Sequence, residues 1–240
     1  MDALTLRRHA HRAHRWLGLA VGLQVFVWLA GGLVMTALPI ERVRGEHKVA
    51  EAPPPAYDPG ALIPFEAAAS AAGADRVASR RLTSVLGAPA WLVEAPGLDG
   101  EGGEAVLIDA RTAARLSPMD EATAAAVAVA DYAGPGELTA IRLLDHPPTE
   151  YARPGPVWQP VFDDADRATL YVDPATGAVT ARRGRTWRAF DLAWRLHVMD
   201  YDDGASFNHP LVQAMAGAGT LFALSGLTLI GLRWRRGRLA

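Results

Sequence analysis

The sequence predicts an α+β domain built from two helix-plus-antiparallel-sheet repeats and flanked by two transmembrane α-helices. Three observations lead there: two long uncharged apolar blocks near the chain ends, arginine clusters outside both blocks, and one order of helix, strand and hairpin signals that occurs twice between them.

The first block runs from Trp16 to Leu38 with no charged residue, and Gln24 is its only strongly polar side chain. At about 1.5 Å per residue it reaches roughly 34 Å, enough to cross a hydrocarbon core of about 30 Å. Arg7, Arg8, Arg12 and Arg15 precede it, and Pro39 closes it. A basic stretch before an apolar one also describes a signal peptide. Signal cores hold only about 7–15 apolar residues, however, and no small-x-small cleavage site follows a core of that length here. The block therefore reads as an uncleaved helix.

The second block, Leu211 to Leu232, is again uncharged. Pro210 suits the first turn of a helix, where its missing N–H costs nothing. Arg233, Arg235, Arg236 and Arg238 follow at once. With both arginine clusters at the outer chain ends, the positive-inside tendency puts both termini in the cytoplasm of a bacterial inner membrane and the central region in the periplasm. Small residues recur on both spans (Gly18, Gly22, Ala30 and Gly31, then Ala214, Ala218 and Gly219), a spacing that lets helices pack closely within one chain or in a homodimer.

Between the spans, Glu51 to Pro59 is proline-rich and reads as a linker. An Ala-rich helix then appears twice, over Phe65–Ala72 and Asp120–Tyr132, with Ser117 as the expected cap of the second and Pro118 at its first position. A strand follows each helix, Arg81–Leu86 or Leu138–Leu144. A small-x-Trp strand comes next, Ala88-Pro-Ala-Trp91 or Gly155-Pro-Val-Trp158. Each copy ends in a hairpin arm, Ala105 to Thr112 or Thr169 to Gly177. In the second arm Asp173 starts the turn, Pro174 presets φ and Gly177 takes the left-handed position. The first arm has Ala113 where that glycine would stand, so its hairpin is expected to be looser.

These boundaries give a basic N-terminus (1–15), a first span (16–39), a linker (40–60), two repeats (61–117 and 118–185), an interfacial amphipathic helix with its turn (186–209), a second span (210–232) and a basic tail (233–240).

The Asp173-Pro-Ala-Thr-Gly177 arm behind an Ala-rich helix and a Trp strand resembles the PepSY domain. His14-Arg-Trp-Leu-Gly18-Leu, with Gly22, and the later Trp194-Arg-Leu-His197-Val-Met-Asp200-Tyr and Phe207-Asn-His-Pro210-Leu, resemble the PepSY-associated transmembrane proteins of Gram-negative inner membranes. The resemblance spans nearly the whole chain. It implies either a module that binds and restrains a partner, as PepSY modules do in peptidase propeptides, or a part in iron and siderophore uptake, where some larger relatives look like haem-carrying reductases with more spans than the two read here.

Composition narrows the chemistry. The 240 residues carry a formal charge of −2, which gives no case for nucleic acid, and Lys48 is the only lysine. Cysteine is absent, which excludes disulfides, thiolate metal sites, iron–sulfur clusters and thioether-linked haem. No His-Glu-x-x-His, Gly-x-Ser-x-Gly or phosphate-binding glycine loop occurs.

Histidine is then the one candidate cofactor ligand. His9 and His11 read as part of a solvated basic segment, whereas His14 shares a face with Gly18 and Gly22. His197 lies on a stripe with Trp187, Phe190, Trp194 and Tyr201, at steps of three or four, as on a helix lying at headgroup depth. His209 begins the second span. His14 and His209 lie at opposite ends of the spans, about 30 Å apart, whereas two axial ligands of one haem iron are about 4 Å apart. A bis-His haem b would thus pair His197 with His209, or equivalent residues of two copies. Trp16, Trp187, Trp194, Tyr201 and Trp234 are the expected membrane-interface anchors. The acidic groups Asp163, Asp164 and Asp166, and Asp200, Asp202 and Asp203, read as solvated turns.

The expected function is non-catalytic: a membrane-anchored module that binds or regulates a protein partner in the inner membrane or periplasm. The alternatives are a haem-b- or metal-carrying subunit that passes electrons to a periplasmic ferric chelate, and a structural assembly subunit.

Overall fold

The computed structural model describes residues 3–51, 56–97, 103–200 and 208–237. In chain order the helices are α1 (Ala3–Ala37), α2 (Ile40–Val43), α3 (Phe65–Ala72), α4 (Glu121–Asp131), α5 (Arg185–Val198) and α6 (Pro210–Gly237). The strands are β1 (Ser79–Val85), β2 (Ala88–Glu94), β3 (Ala105–Asp109), β4 (Leu138–Ala140), β5 (Leu143–Leu144), β6 (Val157–Trp158), β7 (Val161–Phe162), β8 (Thr169–Val172) and β9 (Val179–Arg183). The chain forms two compact units, Met1–Pro39 with Arg188–Ala240, and Ile40–Trp187.

Among the described residues of the helical unit, Pro210–Trp234 is the one unbroken helix long and apolar enough to cross a membrane. The expected first span passes that test only as two straight pieces, His11–Leu19 and Val21–Ala37, which meet at 50°. Gly18 and Gly22 flank the bend, and glycine in a helix interior weakens it there. α1 and α6 pack through reciprocal notches. A Cβ at Gly18 would lie 3.0 Å from Phe222 Cε2, and one at Gly226 would lie 3.2 Å from His14 Cε1. Gly31 lets Ala193 of α5 approach α1, since a Cβ there would stand 3.2 Å from the Ala193 carbonyl oxygen. Gly22 and Gly219, from the same small-residue pattern, have nothing within 4 Å of that position.

The α+β unit holds two antiparallel sheets, each with its own helix. In the first, β1 pairs with β2 and β2 with β3, and Trp91 stands opposite Leu82 and Ile108. The short side chain of Ala68 brings α3 down onto Val106 and Ile108. In the second, Ala124 and Ala128 of α4 do the same against Trp158, Phe162, Leu170 and Val172. The sequence predicts one strand over Leu138–Leu144, but the structure breaks it into β4 and β5. Its neighbour is broken into β6 and β7 around Pro160, which has no N–H to give to a ladder.

Three local expectations change. Asp120, not Ser117, caps α4, and its carboxylate accepts from the Thr123 N–H at 2.8 Å. Ser117 precedes a cis peptide to Pro118, and its buried hydroxyl accepts from the Leu107 N–H of β3 at 2.8 Å. The first hairpin keeps the turn of the second despite Ala113. Gly177 N–H donates to the Asp173 carbonyl at 2.8 Å with φ +66°, and Ala113 N–H donates to the Asp109 carbonyl at 3.1 Å with φ +62°. Finally, residues 40–50 are folded against the α+β unit instead of forming a free linker, through α2 and backbone hydrogen bonds from Ala50 N–H to the Asp131 carbonyl and from Ala133 N–H to the Lys48 carbonyl, both 2.8 Å.

Candidate functional site

The expected cofactor ligands are set by their hydrogen bonds. Ser225 gives its one hydroxyl proton to the Phe222 carbonyl at 2.6 Å, so at 2.9 Å it can only accept from His14 Nδ1. His14 therefore carries its proton on Nδ1, and its ring stacks on Phe222 with centroids 4.4 Å apart. His197 Nδ1 faces the Trp28 carbonyl at 3.2 Å, an acceptor only, which fixes the same tautomer. A histidine that gives Nδ1–H to a carbonyl keeps Nε2 for a metal. His209 is the reverse. Its Nε2 donates to the Val198 carbonyl at 3.0 Å.

His197 thus leaves its Nε2 and His209 its Nδ1 clear of these backbone bonds. His14 is held by α6, through Ser225 and Phe222, whereas His197 is held by α1 through the Trp28 carbonyl. Among the described residues no three of His, Asp or Glu are placed to share a metal ion.

Of the expected interface anchors, Trp16 and Trp234 are exposed on α1 and α6. Trp187 and Trp194 are half-buried on α5, and the Arg183 guanidinium lies 4.2 Å from the Trp187 ring centre. The exposed large apolar residues of α5 are Leu192 and Leu196, off the aromatic stripe. Tyr201 lies outside the described residues, as do Asp202 and Asp203.

Two features escaped the sequence reading. The first is the free edge of β1. Its seven residues pair with β2 in unbroken register and, among the described residues, with no strand on the other side. Beside it an open cavity of about 550 Å³ runs along α3, lined by Phe65, Ala69, Gly73, Val77 and Arg80 together with the carboxylates Glu66 and Asp75. Arg80 lies over Phe65, 5.2 Å from the ring centre. Arg76, Arg80 and Arg81 form no ion pair among the described residues. The outer edges of the second sheet differ: β4 and β5 on one side are short, with a register shift in β4, and β9 on the other pairs with β8 across a register shift. The strand itself was legible, but its edge status depends on which strands pair.

The second is Asp164. Far from being a solvated turn, it is buried and ion-paired to Lys48, with Asp166 beside it. Asp200, also expected to be solvated, is buried as well. A lone lysine in a chain that otherwise uses arginine was the available signal for the Lys48 pairing.

The comparison with known families decides the identity. Residues 11–240 match the family model for the PepSY-associated TM region. The chain belongs to the PepSY-associated transmembrane family. The match covers both apolar blocks as well as the sheets between them, so membership makes this a membrane protein of the PepSY class, in line with the apolar α6. No curated protein and no solved structure matches the chain.

Proposed function

We propose that this PepSY-associated protein sits in a bacterial inner membrane with two spans and holds its pair of helix-backed sheets in the periplasm, where they bind or regulate a protein partner. An iron-uptake system is the setting suggested by family resemblance. The free edge of β1 is the observation that carries the binding reading. Proteins protect exposed edges with bulges, breaks or very short strands, and β1 has none of these. An extended segment of a partner can add to such an edge through backbone hydrogen bonds, with side chains entering alternate pockets. Arg80 and Arg81 point to opposite faces of the strand by its period of two, so an acidic strand meets a cation on each face. Arginine there also discourages pairing of β1 with itself.

The test is cross-linking in cells followed by purification of the full chain in detergent. Wild type is expected to carry a cross-linked partner. The double reversal Arg80→Glu with Arg81→Glu is expected to lower capture by about tenfold, the size of a lost interfacial charge contact, with an unchanged thermal melt. Equal capture by both proteins would remove β1 as the binding edge.

A further inference from the structure

We infer that the turn holding Asp164 and Asp166 is a clasp that fastens both of the α+β unit's connections, the incoming chain at Lys48 and the outgoing chain at Arg185 and Thr186, to one point between β7 and β8.

The contacts divide cleanly. On the incoming side Lys48 Nζ donates to Asp164 Oδ2 at 2.5 Å and to Asp166 Oδ2 at 3.0 Å. On the outgoing side Asp166 Oδ1 accepts from the Thr186 N–H at 3.0 Å and the Thr186 hydroxyl at 3.3 Å, and the Asp166 carbonyl accepts from the Arg185 N–H at 2.7 Å. Asp166 thus holds one connection with each carboxylate oxygen. Asp164 keeps the turn in shape, since its Oδ1 accepts from the Ala168 N–H at 2.8 Å and its Oδ2 from the Tyr132 hydroxyl at 2.7 Å.

A second strap runs beside the first. Arg182 forks onto Asp131 through Nε at 2.9 Å and a terminal nitrogen at 2.5 Å, next to the Asp131 carbonyl that receives Ala50 N–H. Two glycines make room for the straps. A Cβ at Gly45 would stand 3.2 Å from Arg182 Cβ, at a φ of +73°, and one at Gly184 would collide with the Asp166 carboxylate.

Charge keeps the clasp shut at neutral pH. Burial alone would lower the Lys48 pKa, but the hydrogen bonds and charges of Asp164 and Asp166 outweigh it and hold the ammonium above its ordinary 10.5. Burial would raise both carboxyls, and the N–H donors with Lys48 outweigh it, so both lie below 3.8. The carboxylates therefore contribute stability that is present above pH 3.8 and lost on acidification through their depressed values. The lysine contributes stability that is present below 10.5 and lost as pH rises past its raised value.

Lys48 is the chain's only lysine, so an amine-acylating reagent reads the clasp at a single side chain. In detergent-purified full chain at pH 8, acylation of Lys48, followed by peptide mass spectrometry, is expected to run at least about tenfold slower than in the denatured chain, because only the free amine acylates and the two carboxylates both disfavour it and cover the nitrogen. Asp166→Asn, which keeps the Asp164 pairing, is expected to recover part of that rate and to raise tryptic cleavage after the exposed Arg42 and Arg44. A pair of variants guards against unfolding: Lys48→Met is expected to raise tryptic cleavage at Arg44 while the far-UV circular dichroism is kept, and Lys48→Arg to restore resistance. Lys48 acylation as fast in the folded wild type as in the denatured chain would overturn the clasp. So would unchanged cleavage in Lys48→Met.

Discussion

Ala113 and Gly177 occupy the same left-handed position in the two hairpin turns, and only one of them is suited to it. An L-residue in that region costs about 1–2 kcal/mol, and glycine gives back about 0.5–1 through the freedom it has when unfolded. Ala113→Gly is therefore expected to stabilise the protein by about 0.5–1 kcal/mol. Gly177→Ala should destabilise it by more than that, since the new methyl also meets the Met119 thioether. Thermal melts of the full chain in detergent check both signs, and a lower melting temperature for Ala113→Gly would contradict the strain. The departure at Ala113 was legible in the sequence. That the turn forms in spite of the strain was not, because it is held by Asp109, whose carboxylate accepts from the Arg111 and Thr112 N–H groups at 2.8 Å each. Those bonds outweigh the effect of burial and keep the Asp109 pKa below its ordinary value, so this turn, too, weakens as acid protonates the carboxylate.

At the scale of elements, the two Trp strands do one job in two places. Trp91 Nε1–H donates to the Ile63 carbonyl at 3.2 Å, and Trp158 Nε1–H donates to the Met119 carbonyl at 3.0 Å. Each accepting residue stands two positions before its sheet's helix. The indole thus sets where the helix begins over the sheet. Trp158→Phe leaves a buried carbonyl unpaired and is expected to cost about 1–3 kcal/mol, whereas Trp91→Phe, at a half-buried site that water reaches, should cost less than about 1. Chemical denaturation of the two variants tests this order, and equal losses would count against it. The Trp strands stood out in the sequence as small-x-Trp signals. Their hydrogen bonds, the break at Pro160 and the replacement of Ser117 by Asp120 as cap did not, because each depends on what the neighbouring strand offers. Ser117 had the right chemistry for a cap, and the Leu107 N–H of β3 claimed it.

For the whole molecule, arginine placement makes the prediction. A reporter enzyme active only outside the cytoplasm is expected to work when inserted between β2 and β3 and to fail when fused after Ala240, with Arg7 to Arg15 and Arg233 to Arg238 holding both ends inside. Activity at the C-terminal fusion would overturn the topology.

Much of the architecture was readable from one chain, for a physical reason. Apolar length, flanking charge, the 3.6- and 2-residue periods and turn chemistry are local properties, and they announce helices, strands and the membrane-competent α6 without knowledge of what packs where. What only the tertiary structure decided is pairing. That β1 is an edge, that His209 gives its Nε2 to the Val198 carbonyl, and that Asp164 and Asp166 close on Lys48 more than a hundred residues away all follow from groups distant in sequence competing for the same partners. No periodicity records the outcome of that competition.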